Sequence, residues 1–266
     1  MTQSSSPSKN PLHLIALGSS FAAGPAIHPL SSRQAMRSTL NYPNLLSRRL
    51  GASLTDLTVS GATLLNVLDT SQGIVGSFPP QVQGVTSDAD VVTITAGGND
   101  IGYIGGMMRD SFGMIGNVLF PLVGPVTVPS EDEVVARFRN VVDAVRERAP
   151  KARILLVEYL TVLGPDTKSG VNVPFTEDQV ARYKEVAKTV QRIYARAAEG
   201  KERCEVVDVA ERSEGHGWGS MEPWVTGHGW GMFTGGEMPW HPNKRGMEAV
   251  AGMIYEHLQG NSKARL

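Results

Sequence analysis

The sequence has one cysteine, almost no net charge and no long apolar run. The single Cys204 among 266 residues excludes an intramolecular disulfide. A formal net charge of -1 leaves no basic field that would attract nucleic acid or an anionic membrane. The first apolar run is only about six residues long, so no signal peptide or transmembrane span is recognisable. We therefore expect a disulfide-free protein without nucleic-acid partners or an integral membrane segment. The expected location is cytoplasmic, and a secreted location stays open because disulfide-free secreted enzymes exist.

A chain of 266 residues is long enough to bury a full core as one domain. The polar residues 1–10 are expected to be disordered, and residues 11–260 are expected to form a single domain. Two glycine-rich segments, 101–129 and 213–240, lack clear periodicity and are expected to be irregular loops that lie over the functional site.

Short apolar runs alternate with helical patterns along the chain. The helices expected after Ser130 and Thr176 each begin with a capping box, and Val134, Phe138 and Val141 then recur at helical spacing. The strands are apolar almost throughout, which is typical of a parallel sheet covered on both faces. We predict an α/β fold, a three-layer α/β/α sandwich around a parallel five-stranded sheet. The predicted strands are 12–17, 53–59, 90–96, 152–158 and 204–209.

Small and polar residues directly follow three of these strands. Ser20 lies in the segment 18–24, Gly61 in Ser60-Gly61-Ala62, and Asn99 in Gly97-Gly98-Asn99-Asp100. Ligands of open α/β sheets bind outside the carboxyl ends of the strands, so these segments are expected at one edge of the sheet. Ser20 is therefore a candidate nucleophile, although a serine in a strand-to-helix turn equally serves backbone geometry alone.

Together with Trp240-His241-Pro242-Asn243, these three segments resemble, in order, the four sequence blocks of the SGNH (GDSL-type) hydrolases. The resemblance extends over residues 12–258. It implies a flavodoxin-like strand order and a serine ester hydrolase, of the carboxylesterase or lipase type, that works through an acyl-enzyme without a cofactor. The substrate would be a small-molecule or lipid ester. The roles implied are nucleophile for Ser20, base for His241, and oxyanion hole for the backbone N–H groups of Ser20 and Gly61 and the side chain of Asn99.

These residue types suit that chemistry. A serine hydroxyl is a poor nucleophile at neutral pH and needs an adjacent base that accepts its proton. His241 precedes Pro242, a residue suited to the first turn of a helix, so we expect the imidazole at a fixed helix entrance. Gly61 lets a substrate approach the backbone, and the amide of Asn99 donates hydrogen bonds without carrying charge.

Two positions depart from the family's pattern. Most members have an aspartate before the nucleophile, where it supports the loop, and this chain has Ser19. The family's acidic triad member usually lies three residues before the histidine, and this chain has Met238 there. We therefore predict a Ser20–His241 dyad whose imidazole is oriented by a backbone carbonyl near Met238. The rival acids are Glu237, which is the nearest in sequence, and Asp208 and Glu158.

Apolar residues flank the expected site on both sides. They are either the walls of an acyl pocket or ordinary core, because methionine and tryptophan serve both purposes. If they line a pocket, hydrolysis should improve as the acyl chain lengthens. The candidates are Ile101, Tyr103 and Met107 after Asn99, and Trp230 and Trp240 before His241.

Two other functions stay open at this point. An acyltransferase would use the same site and differ only in what attacks the acyl-enzyme. A flavodoxin-like binding module would hold a phosphate on the backbone N–H groups of residues 18–24, but that loop lacks the lysine of a P-loop. No metal is expected, because His216 and His228 have no cluster of carboxylates or thiols near them in the sequence.

Overall fold

The computed structural model describes residues 11–73, 78–113, 127–229 and 238–263. The expected disorder of residues 1–10 and the predictions for Trp230 and Glu237 concern residues outside these ranges. Five parallel strands form the central sheet in the order β4-β1-β5-β6-β7, and β2 and β3 form a separate antiparallel pair. This is the flavodoxin-like order, as predicted. The strands are β1 His13–Gly18, β2 Leu30–Ser32, β3 Arg37–Ser38, β4 Ser53–Asp56, β5 Val91–Thr95, β6 Arg153–Val157 and β7 Cys204–Val207.

Helices cover both faces of the sheet, which confirms the three-layer α/β/α sandwich. The helices are α1 Ser20–Ala23, α2 Tyr42–Leu50, α3 Leu64–Leu68, α4 Tyr103–Ser111, α5 Glu131–Arg148, α6 Glu177–Ala198, α7 Val209–Arg212 and α8 Lys244–Lys263, with 3-10 turns at Gln81–Gly84 and Glu214–His216. Helix α2 packs against α8, and α5 packs against both α3 and α6. None of the helices within the described ranges is both long and apolar enough to span a bilayer.

The strands form where the sequence offers uninterrupted apolar residues. All five residues of β5 are buried, and so are the last five of β1, as expected for strands covered on both faces. The capping boxes predicted at Ser130 and Thr176 are present, and in each of them two side chains accept hydrogen bonds from two backbone N–H groups at the start of a long helix. The apolar stripe of α5 then faces inward, with Val134, Phe138 and Val141 fully buried.

Several element boundaries differ from the sequence-based predictions. The segment 101–129 is not irregular throughout, because α4 begins at Tyr103. Gly105 and Gly106 lower the helix propensity of this segment, but both are buried, and a Cβ on Gly106 would lie 3.2 Å from the Tyr183 hydroxyl. Helix α8 begins at Lys244, two residues after Pro242. Strands β4 and β7 end earlier than predicted, at Asp56 and Val207.

Candidate active site

Ser20 is the first residue of α1, immediately beyond the carboxyl end of β1. The turn depends on Gly18, whose φ is +140° and whose Cβ, if present, would lie 2.3 Å from the carbonyl oxygen of Thr95. Only glycine allows β1 and β5 to approach so closely there. Ser19 is extended and fully buried, and Ser20 remains 8% exposed. The turn therefore leaves the Ser20 hydroxyl at the edge of the sheet where ligands bind in α/β folds.

His241 lies beside Ser20 although 221 positions separate them in the sequence. The Nε2 atom of His241 is 2.9 Å from Ser20 Oγ, and Nδ1 is 2.7 Å from the carbonyl oxygen of Pro239. Because a carbonyl only accepts hydrogen bonds, Nδ1 carries the proton and donates a hydrogen bond to the Pro239 carbonyl. The lone pair of Nε2 is then directed at the Ser20 hydroxyl. This is the tautomer that a general base requires.

The carbonyl that accepts this bond is that of Pro239, next to Met238, in the region where a backbone carbonyl was expected. The carbonyl of Met238 instead accepts a hydrogen bond from the hydroxyl of Thr226. None of the carboxylates in the described ranges hydrogen-bonds to His241. Glu158 accepts a bond from the Ala210 N–H, and burial raises the pKa of Glu158 to about 7.

Burial lowers the pKa of His241 to about 4, and the hydrogen bond to Pro239 opposes this effect only in part. The ring is 5% exposed, and the ring of Phe21 lies 5.4 Å from it, centroid to centroid. A charged imidazolium would lose its hydration in this environment. His241 is therefore neutral at pH 7 and free to accept a proton.

Gly61 and Asn99 lie on two loops that a hydrogen bond joins. The Asn99 side-chain amide donates to the carbonyl of Ala62 at 2.8 Å. An amide has two hydrogens, so this bond leaves a second donor on Asn99. Gly61 is exposed with a φ of +85°, a conformation that disfavours any other residue. Gln72 supports this loop by donating to the carbonyl of Ser60 at 2.9 Å.

A sequence model of the GDSL-like Lipase/Acylhydrolase family matches residues 16–249. The chain belongs to this family. It is 28% identical to Lipase 2 of Streptomyces coelicolor over 251 residues, which are 90% of this chain and 83% of that protein. The fold is similar to that of an extracellular lipase from Streptomyces rimosus, with a TM-score of 0.69, 22% identity and coverage of 92% of this chain and 99% of that one. It is also similar to phospholipase A1 from Streptomyces albidoflavus NA297, with a TM-score of 0.68, 19% identity and coverage of 93% and 98%.

Membership of the GDSL family makes the protein a carboxylic ester hydrolase of the serine type, as the four sequence blocks predicted. Family membership also decides against the phosphate-binding module. That alternative explains neither Asn99 nor His241.

The position that carries an aspartate in most family members is supported here by Tyr159. The Tyr159 hydroxyl accepts a bond from the Gly98 N–H at 3.2 Å and lies 3.1 Å from Ser19 Oγ, to which it donates. Ser19 in turn donates to the carbonyl of Thr95 at 3.4 Å. Burial raises the pKa of Tyr159 to about 12, so this hydroxyl keeps its proton. Sequence reasoning missed Tyr159, although its place two residues after the end of β6 puts it at the same edge of the sheet.

Asp100 joins the remaining parts of the site. One carboxylate oxygen accepts the Leu64 N–H at 2.9 Å, at the start of the helix that follows Gly61, and the other lies 3.3 Å from Arg137. Burial raises the pKa of Asp100, and both partners oppose that rise. The carboxylate therefore fixes the Gly61 loop relative to Asn99.

A short antiparallel ribbon carries His241. The Thr226 N–H donates to the His241 carbonyl at 2.9 Å, and the Trp240 N–H donates to the Thr226 carbonyl at 3.1 Å. Val225 and Pro242 form a bridge beside them. No residue type or spacing in the sequence indicated this role for Thr226.

Three of the expected pocket residues are core side chains in this structure. Tyr103, Met107 and Trp240 are almost fully buried, while Ile101 is half-buried. They therefore do not form the walls of an open pocket. A cavity of about 560 Å³ lies instead at the carboxyl ends of β6 and β7, and it includes Thr161, Lys184 and Glu211 but not Ser20.

The two histidines weighed as metal ligands make aromatic contacts. His216 stacks on Trp224 with centroids 3.6 Å apart, and His228 lies 6.0 Å from the ring of Trp240. The described part of the chain contains no group of three or more side chains suited to hold a metal ion.

Proposed function

We propose that this GDSL hydrolase cleaves carboxylic esters by a Ser20–His241 dyad. The observation that carries the proposal is the 2.9 Å contact between Ser20 Oγ and His241 Nε2, with Nδ1 bound to the Pro239 carbonyl. As Ser20 Oγ attacks the ester carbonyl carbon, Nε2 takes the hydroxyl proton. The carbon–oxygen bond to the alcohol then breaks, and His241 returns the proton to the leaving oxygen. Water attacks the resulting acyl-enzyme with the same histidine as base, which releases the acid and regenerates Ser20.

The negative charge that develops on the carbonyl oxygen is stabilised by donors that are already in place. We assign this role to the backbone N–H groups of Ser20 and Gly61 and to the second amide hydrogen of Asn99. The bond from Asn99 to Ala62 holds the amide in one orientation. Each such donor typically contributes about a hundred- to thousandfold to the rate.

In the proposed dyad two features take the part of a carboxylate, since none of the carboxylates in the described ranges hydrogen-bonds to His241. The Pro239 carbonyl selects the tautomer, and its bond to Nδ1–H strengthens when the ring becomes cationic. The oxyanion formed in the same step also attracts the imidazolium. The base is weak, with a pKa of about 4, but it is uncharged and correctly directed over a wide pH range.

For the substrate we propose a lipid-type ester with an apolar acyl chain. This rests on the relatives, which are a lipase and a phospholipase A1 from Streptomyces. The cytoplasmic location stays a prediction.

The test is hydrolysis of p-nitrophenyl esters from acetyl to long acyl chains by the wild type, Ser20→Ala and His241→Ala, with labelling by a fluorophosphonate. We expect labelling to vanish in Ser20→Ala, and kcat to fall by several orders of magnitude in both variants while the unfolding temperature changes little. A folded wild type without turnover or labelling would contradict the dyad. A flat or falling chain-length profile would contradict the lipid-type substrate. Ester products formed from added alcohols would show acyl transfer at the same site.

A further inference from the structure

Trp240 has an unusual backbone conformation. Its φ is +60°, in the left-handed region, and its side chain is fully buried. A large L-residue is disfavoured in this region and stays there only when its surroundings hold it. Trp240 is also the single residue between Pro239 and His241. The bend that brings the Pro239 carbonyl back to Nδ1 of His241 therefore lies at Trp240.

The Trp240 side chain is anchored to α4. Its indole N–H donates to Ser111 Oγ at 2.7 Å, and Ser111 Oγ donates in turn to the carbonyl of Met107 at 2.6 Å. The ring of Phe175 lies 5.1 Å from the indole. Helix α4 begins directly after the Asn99 loop, where the Tyr103 N–H donates to the carbonyl of Gly98 at 2.9 Å. The indole thus links the turn that carries His241 to helix α4, which follows the Asn99 loop.

We propose that the hydrogen bond between Ser111 and Trp240 is a positioning contact that holds His241 against Ser20 in this chain, which has Met238 where the family has an acid. This inference rests on the proposed dyad. A carboxylate would orient the imidazole with a charge-assisted bond about twice as strong as a neutral one. The Pro239 carbonyl is neutral, so the orientation depends more on the rigidity of the turn. Without the anchor at Ser111, the strained bend at Trp240 relaxes and the carbonyl leaves Nδ1.

The chain contains a matched control for this contact. Ser213 is also a helix-terminal serine whose hydroxyl donates to the carbonyl four residues earlier, that of Val209, at 2.7 Å. It also accepts one N–H, from Thr161 at 2.9 Å. Ser111→Ala and Ser213→Ala therefore each remove one hydrogen bond donated to a helix carbonyl and one accepted from an N–H, although Ser213 Oγ also lies 3.2 Å from the carbonyl of Ala210. Only Ser111→Ala removes a contact to the turn of His241.

The experiment compares kcat, KM, the rate of fluorophosphonate labelling and the unfolding temperature of these two variants. We expect both to lower the unfolding temperature, and only Ser111→Ala to lower kcat and the labelling rate, by about tenfold, with KM little changed. Ser111→Thr keeps a hydroxyl and should restore the rate. Equal kcat in Ser111→Ala and Ser213→Ala would overturn the inference.

Trp240→Phe tests the same contact from the other side, since it keeps an aromatic ring but lacks the N–H donor. Its kcat should fall as in Ser111→Ala, and the double variant should lose no more than either single variant, because both remove one bond. Additive losses would contradict a shared contact.

A wild type that neither hydrolyses esters nor reacts with the fluorophosphonate would refute the proposed dyad, whereas an active wild type with an unaffected Ser111→Ala would refute this inference alone.

Discussion

Acidification should leave the enzyme active well below the usual range of a histidine base. The ordinary pKa of histidine is 6.5, and burial lowers that of His241 to about 4. Catalysis requires the neutral ring, so activity is present above the pKa and is lost as the pH falls through it. At pH 5 a base with a pKa of about 4 is roughly 90% neutral, whereas one with a pKa of about 6.5 would be roughly 3% neutral. The acid limb of kcat/KM should therefore have its midpoint near pH 4.

The same burial makes a prediction for stability. The pKa of His241 is lower in the folded than in the unfolded chain, so folding favours the neutral ring. The stabilisation is complete above pH 6.5 and is lost as the pH falls from there through about 4. The difference between these values corresponds to about 3 kcal/mol. His241→Ala should lack this component of the acid destabilisation, which urea unfolding at several pH values would measure.

The acid limb of the activity is measured as kcat/KM for a short p-nitrophenyl ester between pH 3.5 and 8, with the fold checked by circular dichroism at each pH. Phe21→Ala uncovers the imidazole and should move the acid limb upward, because hydration favours the charged ring. Glu158→Gln is the control, since Glu158 has a pKa of about 7 and does not contact His241. An acid limb near pH 6.5 in the wild type, or one that moves in Glu158→Gln, would refute the reasoning.

Two further predictions concern the groups around the dyad. Asn99→Ala should lower kcat by about a hundred- to thousandfold with little change in KM. The control is Asn172→Ala, which removes a similar amide bond to the carbonyl of Asp166 in a surface loop and should leave kcat unchanged. Equal effects of the two substitutions on kcat would contradict the oxyanion role of Asn99. Tyr159→Phe removes the hydroxyl shared by Ser19 and Gly98 and should cost about 1–3 kcal/mol of unfolding free energy in urea, because the Gly98 N–H loses its acceptor and Ser19 loses one of its two hydrogen bonds. An unchanged stability would contradict its supporting role.

Much of the site was predictable because its residues directly follow strands. Ser20, Gly61 and Asn99 each come after an apolar run, and the carboxyl ends of parallel strands meet at one edge of a sheet. His241 was predictable only through the resemblance of the fourth block, since a histidine before a proline has no strand to place it. The helix α4 was missed because its two glycines look like loop residues until Tyr183 packs over Gly106.

The sequence by itself determined the fold and the position of Ser20, Gly61 and Asn99 at one edge of the sheet, because apolar periodicity and the residue types at strand ends are local properties of the chain. His241 was identified through the family resemblance. Only the tertiary structure decided how the reactive groups are held. The carbonyl that accepts the hydrogen bond from His241 Nδ1 belongs to Pro239, and any residue type offers a carbonyl, so no sequence pattern could single it out. The contacts of Tyr159 with Ser19 and of Trp240 with Ser111 join residues 140 and 129 positions apart. Such contacts depend on how the loops and helices pack over the sheet, which local sequence patterns do not encode.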